Sequence, residues 1–198
     1  RKVPELRVAL AGVGDLREEV EQGIRRRGLT NVVCLLGQRK DVMDILGAAD
    51  VMLLTSKVEG TPNVILEAQW TRCPPVATRA GGTPDAMQHG VTGYLADVDD
   101  AETLASHATR LLTDRALREE FGNAGREFVQ QRFGLRRMLD DTIRYYHTLL
   151  GREAPRLVEP APSVDPESPR SERPRANPVA PRRAPKPAVD TSSIAQQA

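Results

Sequence analysis

Short apolar runs alternate with longer amphipathic segments along most of the chain. "LRVALAG" (6–12) is a β-rich run ending in glycine, and "NVVCLLG" (31–37), "VMLLTS" (51–56), "PPVATR" (74–79) and "GYLAD" (93–97) repeat the signal. Between the first two runs, "DLREEVEQGIRRRGL" (15–29) sets Leu16, Val20 and Ile24 on one helical face and closes on Gly28. "DVMDILGAAD" (41–50) reads as a shorter helix and "NVILEAQWTR" (63–72) as a third. Strands that are continuously apolar are buried on both faces, and strands separated by helices pair in parallel. The pattern therefore predicts an α/β fold, a Rossmann-like parallel sheet with helices on both faces.

From Asp99 the pattern becomes purely helical, through "AETLASHATRLLTD", "RALREEFGNAGREFVQQRF" and "LRRMLDDTIRYYHTLL". Leu104, Leu111 and Leu112 form one apolar stripe, and Met138, Leu139, Ile143, Tyr146 and Leu150 another. These C-terminal helices carry more apolar face than the sheet domain needs to cover itself. Composition shifts after Gly151: the remaining segment holds most of the prolines and no aromatic residue. It cannot bury enough apolar surface to offset the entropy of ordering it. The expected organisation is a domain over 1–151 and a disordered Pro/Arg-rich tail over 152–198. "PRRAPKP" in the tail could serve as a docking peptide, but a solvated tail without a partner is the favoured reading.

The 198 residues carry a formal net charge of +1, enough chain for one proper core and no global field for nucleic acid or an anionic membrane. Aromatics at 4% also argue against a base-stacking platform. Cys34 and Cys73 lie outside any C-x-x-C pattern, so neither a zinc site nor a disulfide framework is expected, and a reduced, cytoplasmic setting follows. Nothing resembles a secretion signal or a membrane span. His89, His107 and His147 are too scattered for a ligand set, and no metal or other cofactor is expected.

The chemistry concentrates at "LLTSKVEGTPNVILE" (53–67), where a strand leads into a helix. Open parallel sheets bind ligands at this end of their strands. Thr61 is placed to cap the helix, Pro62 suits its first position, and Gly60 admits close approach of a ligand to the backbone. The positive helix end and its amides then favour an anion such as a phosphate. Glu59 precedes this cap, and Glu67 sits beside the apolar stripe, three residues after Val64 and three before Trp70. An ionised carboxylate is acceptor-only and takes two neighbouring hydroxyls, the shape of a ribose diol. On the residues alone, Glu59 as a simple helix-end charge and Glu67 as a boundary residue with a packed stem are the readings that spacing favours, because two glutamates eight apart occur often by chance.

Taken together, "ADVMLLTSKVEGTPNVILEAQ", "CPPVATRAGGTPDAMQHGVTGYLAD" and "LREEFGNAGREFVQQRFGLRRMLDDTIRYYHTLL" resemble the carboxyl-terminal domain of family 4 retaining glycosyltransferases with the GT-B fold. "LRVALAGVGDLREEVEQGI" and "NVVCLLGQRKDVMDILGAADV" fit the same family in the same order, so the resemblance runs from about Leu6 to Leu150. It implies transfer of a sugar from a UDP- or GDP-linked donor to an acceptor hydroxyl with retention, by front-side attack and without a metal. Under the resemblance Glu67 binds the ribose hydroxyls. Glu59 takes the catalytic place beside the donor sugar, positioning it rather than attacking it. The backbone of Gly60, Thr61, Pro62 and Asn63 meets sugar hydroxyls and the distal phosphate. Gly37, Gln38 and Arg39 correspond to the loop that receives the base, and Gly12 and Gly14 to the family's glycine turn.

Departures from the family are also visible. "GVG" has Arg17 where a dinucleotide fingerprint wants its third glycine, so NAD is disfavoured. Asp85 stands where the family more often has glutamate, and Gly81 and Gly82 form a turn either near the donor or without a ligand. The family's amino-terminal domain, with most of the acceptor site, and its "GR…K" diphosphate segment are expected outside this chain. The final helices would pack on that domain, and any peripheral membrane association would run through it. Alone, this donor-binding half is expected to bind donor weakly and transfer sugar poorly. Two alternatives are a catalytically inactive nucleotide-sugar-binding or protein-interaction module and, more distantly, a GT-B epimerase acting on UDP-sugars.

Overall fold

A computed structural model describes residues 3–152, which fall within the compact unit Arg1–Arg156. Apart from Arg152, the tail expected from the sequence lies outside the described residues. The elements follow the alternation: β1 (Val8–Ala11), α1 (Arg17–Arg26), β2 (Val33–Gly37), α2 (Val42–Ala48), β3 (Met52–Leu54), α3 (Asn63–Trp70), β4 (Pro75–Thr78) and β5 (Tyr94–Ala96). A 3-10 turn, Thr83–Asp85, interrupts the β4–β5 connection, and α4 (Ala101–Thr113), α5 (Arg115–Phe133) and α6 (Leu135–Leu149) follow.

All described strand pairs are parallel. The apolar runs read as one sheet, whereas the ladders close in two pieces, β1-β2 and β3-β4-β5. Apolar side chains on both pieces remain open to solvent, with Leu10 on β1 at 42% and Leu53 on β3 at 53% exposure. A run pattern specifies that a strand is apolar on both faces, but not which edges meet.

β4 is the central strand of the larger sheet, and all four of its residues are buried. Period-two alternation sends its neighbours to opposite faces. Ala77 and Leu95 pack with Leu46 of α2 and with Ile65 and Ala68 of α3. Val76, Tyr94 and Ala96 pack on the other side with Leu104 and Leu111 of α4 and Phe121 of α5. Each large apolar side chain so buried stabilises the fold by about 1.5–3 kcal/mol. The two helical layers therefore clamp the sheet that bears the Glu59 junction.

α5 also lies against α3, and small residues make that possible. A Cβ at Gly122 would sit 2.6 Å from the carbonyl oxygen of Arg72, and one at Gly125 would sit 3.0 Å from Cγ of Gln69. The amphipathic faces predicted for α1 and α6 exist, but neither helix contains a buried residue. Leu16 is 67% exposed, and Leu135, Met138, Leu139, Tyr145, Tyr146 and Leu149 are all exposed. On α6 this is the surplus of apolar face that the C-terminal helical pattern anticipated; on α1 it was not anticipated.

Candidate functional site

The loop from β3 into α3 carries both glutamates. Pro62, not Thr61, occupies the N-cap, and the helix begins at Asn63. The expectation that Thr61 caps the helix fails because Pro62 has φ −73° and ψ 108°, an extended conformation that postpones helical dihedrals by one residue. No side chain caps α3. The Ile65 amide turns back to the Pro62 carbonyl at 3.1 Å, so the amides of Asn63 and Val64 are the ones placed for water or an anionic ligand, which the helix dipole favours.

Glu59 and Glu67 are both partly buried, one in the loop and one on α3. Among the described residues neither joins an ion pair, while the nearby cations do. Lys57 pairs with Asp99 at 2.8 Å, and Arg79 lies 3.7 Å from Asp97. The aspartates that follow β5 therefore hold the basic groups that follow β3 and β4.

The Glu59 loop is gripped from β4. Thr78 Oγ1 donates to the carbonyl of Ser56, and the amide of Gly82 donates to the carbonyl of Gly60 at 2.9 Å. Gly81 has φ +50°, and a Cβ there would overlap the carbonyl oxygen of Glu59. The sequence marked Gly81 and Gly82 only as a turn. The glycine pair in "RAGGTPD" signalled close approach, but not to which backbone.

Gln69 was also missed as a functional support. It is fully buried, and its Nε2 donates to the carbonyl of Ala86 at 2.7 Å and to that of Ile65 at 3.2 Å. This ties α3, two residues beyond Glu67, to the end of the 3-10 turn that follows Gly82. Asp85 is exposed in that turn.

The other candidate loops meet at the ends of β1 and β2. Gly12, at φ +132°, donates its amide to the carbonyl of Gly37, itself at φ +67°, across 2.8 Å. Gly14 faces open space, and its carbonyl accepts from Arg17 where α1 starts. Gln38 and Arg39 are exposed. The Arg39 guanidinium grips the Asp41 carboxylate with two donors. That hydrogen bonding, reinforced by the opposite charge, lowers the Asp41 pKa and raises that of Arg39. The Gly12–Gly37 pair thus belongs to the two-stranded sheet, and the clasp on Glu59 and Gly60 to the three-stranded one.

No group of three or more His, Cys, Asp and Glu among the described residues is arranged to hold a metal ion. A groove of about 600 Å³ is lined by Arg132, Phe133, Met138, Tyr145, Tyr146 and neighbours, and includes none of the strand-end loops. Among the described residues no helix is long and apolar enough to cross a membrane.

A parallel α/β layer whose strand-to-helix loop opens on an uncapped helix start has the architecture that nucleotide-type domains use to bind anions. Residues 1–128 match the family model described as glycosyl transferases group 1, and the chain belongs to that family. It is 34% identical over 150 residues to the N-acetyl-alpha-D-glucosaminyl L-malate synthase of Bacillus anthracis, covering 75% of this chain and 39% of that protein. It is 36% identical over 133 residues to the sulfoquinovosyl transferase SQD2 of Arabidopsis thaliana, covering 66% of this chain and 26% of that protein.

Among solved structures, HepE of Anabaena in complex with UDP superposes with a TM-score of 0.70 at 27% identity, covering 74% of this chain and 42% of that one. The same protein with UDP-glucose gives 0.68 at 28% identity, with 74% and 42% covered. The fold is accordingly that of the GT-B glycosyltransferases. The chain spans about two-fifths or less of the length of these relatives.

Proposed function

We propose that this chain is the donor-binding half of a retaining, family 4 type glycosyltransferase that takes a UDP- or GDP-linked sugar. The observation that carries the reading is the β3–α3 junction, where an uncapped helix start lies between two partly buried carboxylates that no cation neutralises among the described residues. Glu67 fastens the ribose diol with its two acceptor oxygens. The amides of Asn63 and Val64, with the helix dipole, stabilise the departing diphosphate without rearrangement during reaction. Glu59 orients the sugar, Gly60 and Thr61 line its hydroxyls, and Gly12, Gly14, Gly37 and Gln38 frame the base and phosphates. Arg39 reaches a ligand only by sharing or leaving Asp41. Protein groups carry the leaving-group charge, so the reading asks for no metal.

The sheets also support an incomplete enzyme. A doubly wound sheet orders its strands 3-2-1-4-5-6. The orders β1-β2 and β3-β4-β5 fit that arrangement with its first position open. A strand from an amino-terminal part would fill it, and the bare face of α6 would pack on the acceptor domain there. Two cysteines outside any disulfide, Cys34 exposed and Cys73 buried, suit the reducing cytoplasm.

The test is titration of UDP and GDP into the chain and into Glu67→Ala. Loss of a charged hydrogen-bonding partner weakens nucleotide binding by about tenfold or more, equivalent to roughly 1.5–3 kcal/mol. Equal affinity in the two proteins would remove the ribose assignment. A second reading, an inactive nucleotide-sugar-binding module, draws on the two-fifths coverage of HepE. It predicts intact nucleotide binding and no transfer when an amino-terminal half is supplied.

A further inference from the structure

The Gly82 amide bond to Gly60 has a consequence for donor selection, given the nucleotide-sugar reading above. Gly82 has φ −82° and ψ 9°, a conformation open to any residue. Glycine is required there by a neighbour and not by the backbone angles, because a Cβ would come within 2.5 Å of the Gly60 carbonyl oxygen and 3.3 Å of Thr61 Oγ1. Gly81 is excluded from bearing a side chain twice over, by its φ of +50° and by overlap with the Glu59 carbonyl. Thr78, buried on β4, holds the same loop at Ser56 through its hydroxyl. Two hydrogen bonds, at Ser56 and Gly60, and the close approach of Gly81 to the Glu59 carbonyl therefore hold the backbone on both sides of Glu59. Glu67 is positioned by the regular helix α3 and its packing, and Gln69 joins that helix to Ala86 at the far end of the turn rather than to Gly81 or Gly82.

We propose that Gly81, Gly82 and Thr78 form a backbone clasp that positions Glu59, and that the clasp governs recognition of the donor's sugar while leaving recognition of its nucleoside untouched. The clasp touches no reacting atom; Gly81, Gly82 and Thr78 are positioning residues that act through Glu59. Gly82→Ala pushes the Gly60 carbonyl away, and Thr78→Val removes the hydroxyl without adding bulk. Both shift the Glu59 carboxylate relative to a nucleotide still seated on α3.

The test is calorimetric titration of UDP, UDP-glucose and UDP-N-acetylglucosamine into the 198-residue chain and its Gly82→Ala, Thr78→Val and Thr78→Ser variants. UDP affinity should stay within about twofold of wild type, while the preference for a sugar nucleotide over UDP falls about tenfold in Gly82→Ala and Thr78→Val, the size of one charge-assisted hydrogen bond. Thr78→Ser should restore that preference. Should Gly82→Ala fail to fold, the two Thr78 variants decide the matter. Unchanged preference in the folded variants overturns the clasp, as does a parallel loss of UDP affinity, which would mark a merely structural role. A wild-type chain that binds UDP without preferring either sugar nucleotide overturns the clasp alone. A wild-type chain that binds none of the three, nor GDP, overturns the nucleotide-sugar reading and the clasp with it.

Discussion

The side-chain amide of Gln69 donates to the carbonyl oxygen of Ala86 across 2.7 Å inside the core, joining α3 to the turn that follows β4. Its Oε1 is buried without a partner among the described residues. Replacing Gln69 by Leu strands the Ala86 carbonyl but also removes the unpaired Oε1, so the loss should be about 1–3 kcal/mol. Gln69→Glu sets a carboxylate against that carbonyl and should lose more, about 3–5 kcal/mol at neutral pH. Urea denaturation of the three proteins measures the order, and a Glu variant as stable as the Leu variant would contradict it.

Two glycines in helices should respond to alanine with opposite signs. Gly122 on α5 abuts the Arg72 carbonyl, with 2.6 Å between that oxygen and an added Cβ. Backbone cannot swing aside as a side chain can, so Gly122→Ala should destabilise by about 1–3 kcal/mol. Gly23 on α1 would meet only the flexible end of Arg27, at 3.2 Å. There the entropy saved in the unfolded chain should prevail, and Gly23→Ala should stabilise by about 0.4–1 kcal/mol. Thermal denaturation of both variants reads the signs directly.

The two carboxylates of the junction should separate in binding experiments. Glu59→Gln keeps the loop's size and leaves Glu67 in place, so UDP should bind it as it binds wild type. Affinity for a sugar nucleotide should drop about tenfold, as expected when a charged acceptor is lost. The reverse result, with UDP weakened and sugar discrimination retained, would exchange the two roles.

Stability should fall on mild acidification because of His107. Its ring stacks on Tyr94 with centroids 4.3 Å apart, and its centroid lies 5.8 Å from that of His89. Burial lowers its pKa from the ordinary 6.5, His89 and Arg110 lower it further, and Asp100 opposes them. The folded state thus prefers the neutral ring. That preference stabilises the fold fully above 6.5 and is lost as pH falls through the depressed folded value. Melting temperatures at about pH 7.5 and about pH 5.5 should differ less in His107→Phe than in wild type; an identical difference would discount this histidine.

Much of the architecture was legible because it is periodic. The bounds of α5, Arg115–Phe133, are those of the second helical segment read after Asp99, and each apolar run contains one strand. Thr61 was misassigned as the cap because the choice between it and Pro62 rests on a single ψ angle, which composition does not specify. The amphipathic stripes of α1 and α6 were visible, yet a stripe says only that a helix has an apolar face. What covers that face depends on surfaces remote in sequence, and the described residues leave both helices without a buried residue.

Local order is what the chain determined by itself: alternating strands and helices, two glutamates eight positions apart around a Gly-Thr-Pro turn, and glycines where backbone comes close. Those features depend on neighbours within a few residues, through helical and strand periodicity and turn sterics. Tertiary structure alone decided that the strands close as two sheets and that Gly82 clasps Gly60 while Thr78 holds Ser56. Thr78 and Ser56 are 22 residues apart, as are Gly82 and Gly60. Hydrogen bonds over that separation depend on which strands lie side by side, and strand adjacency is set by packing of the whole domain.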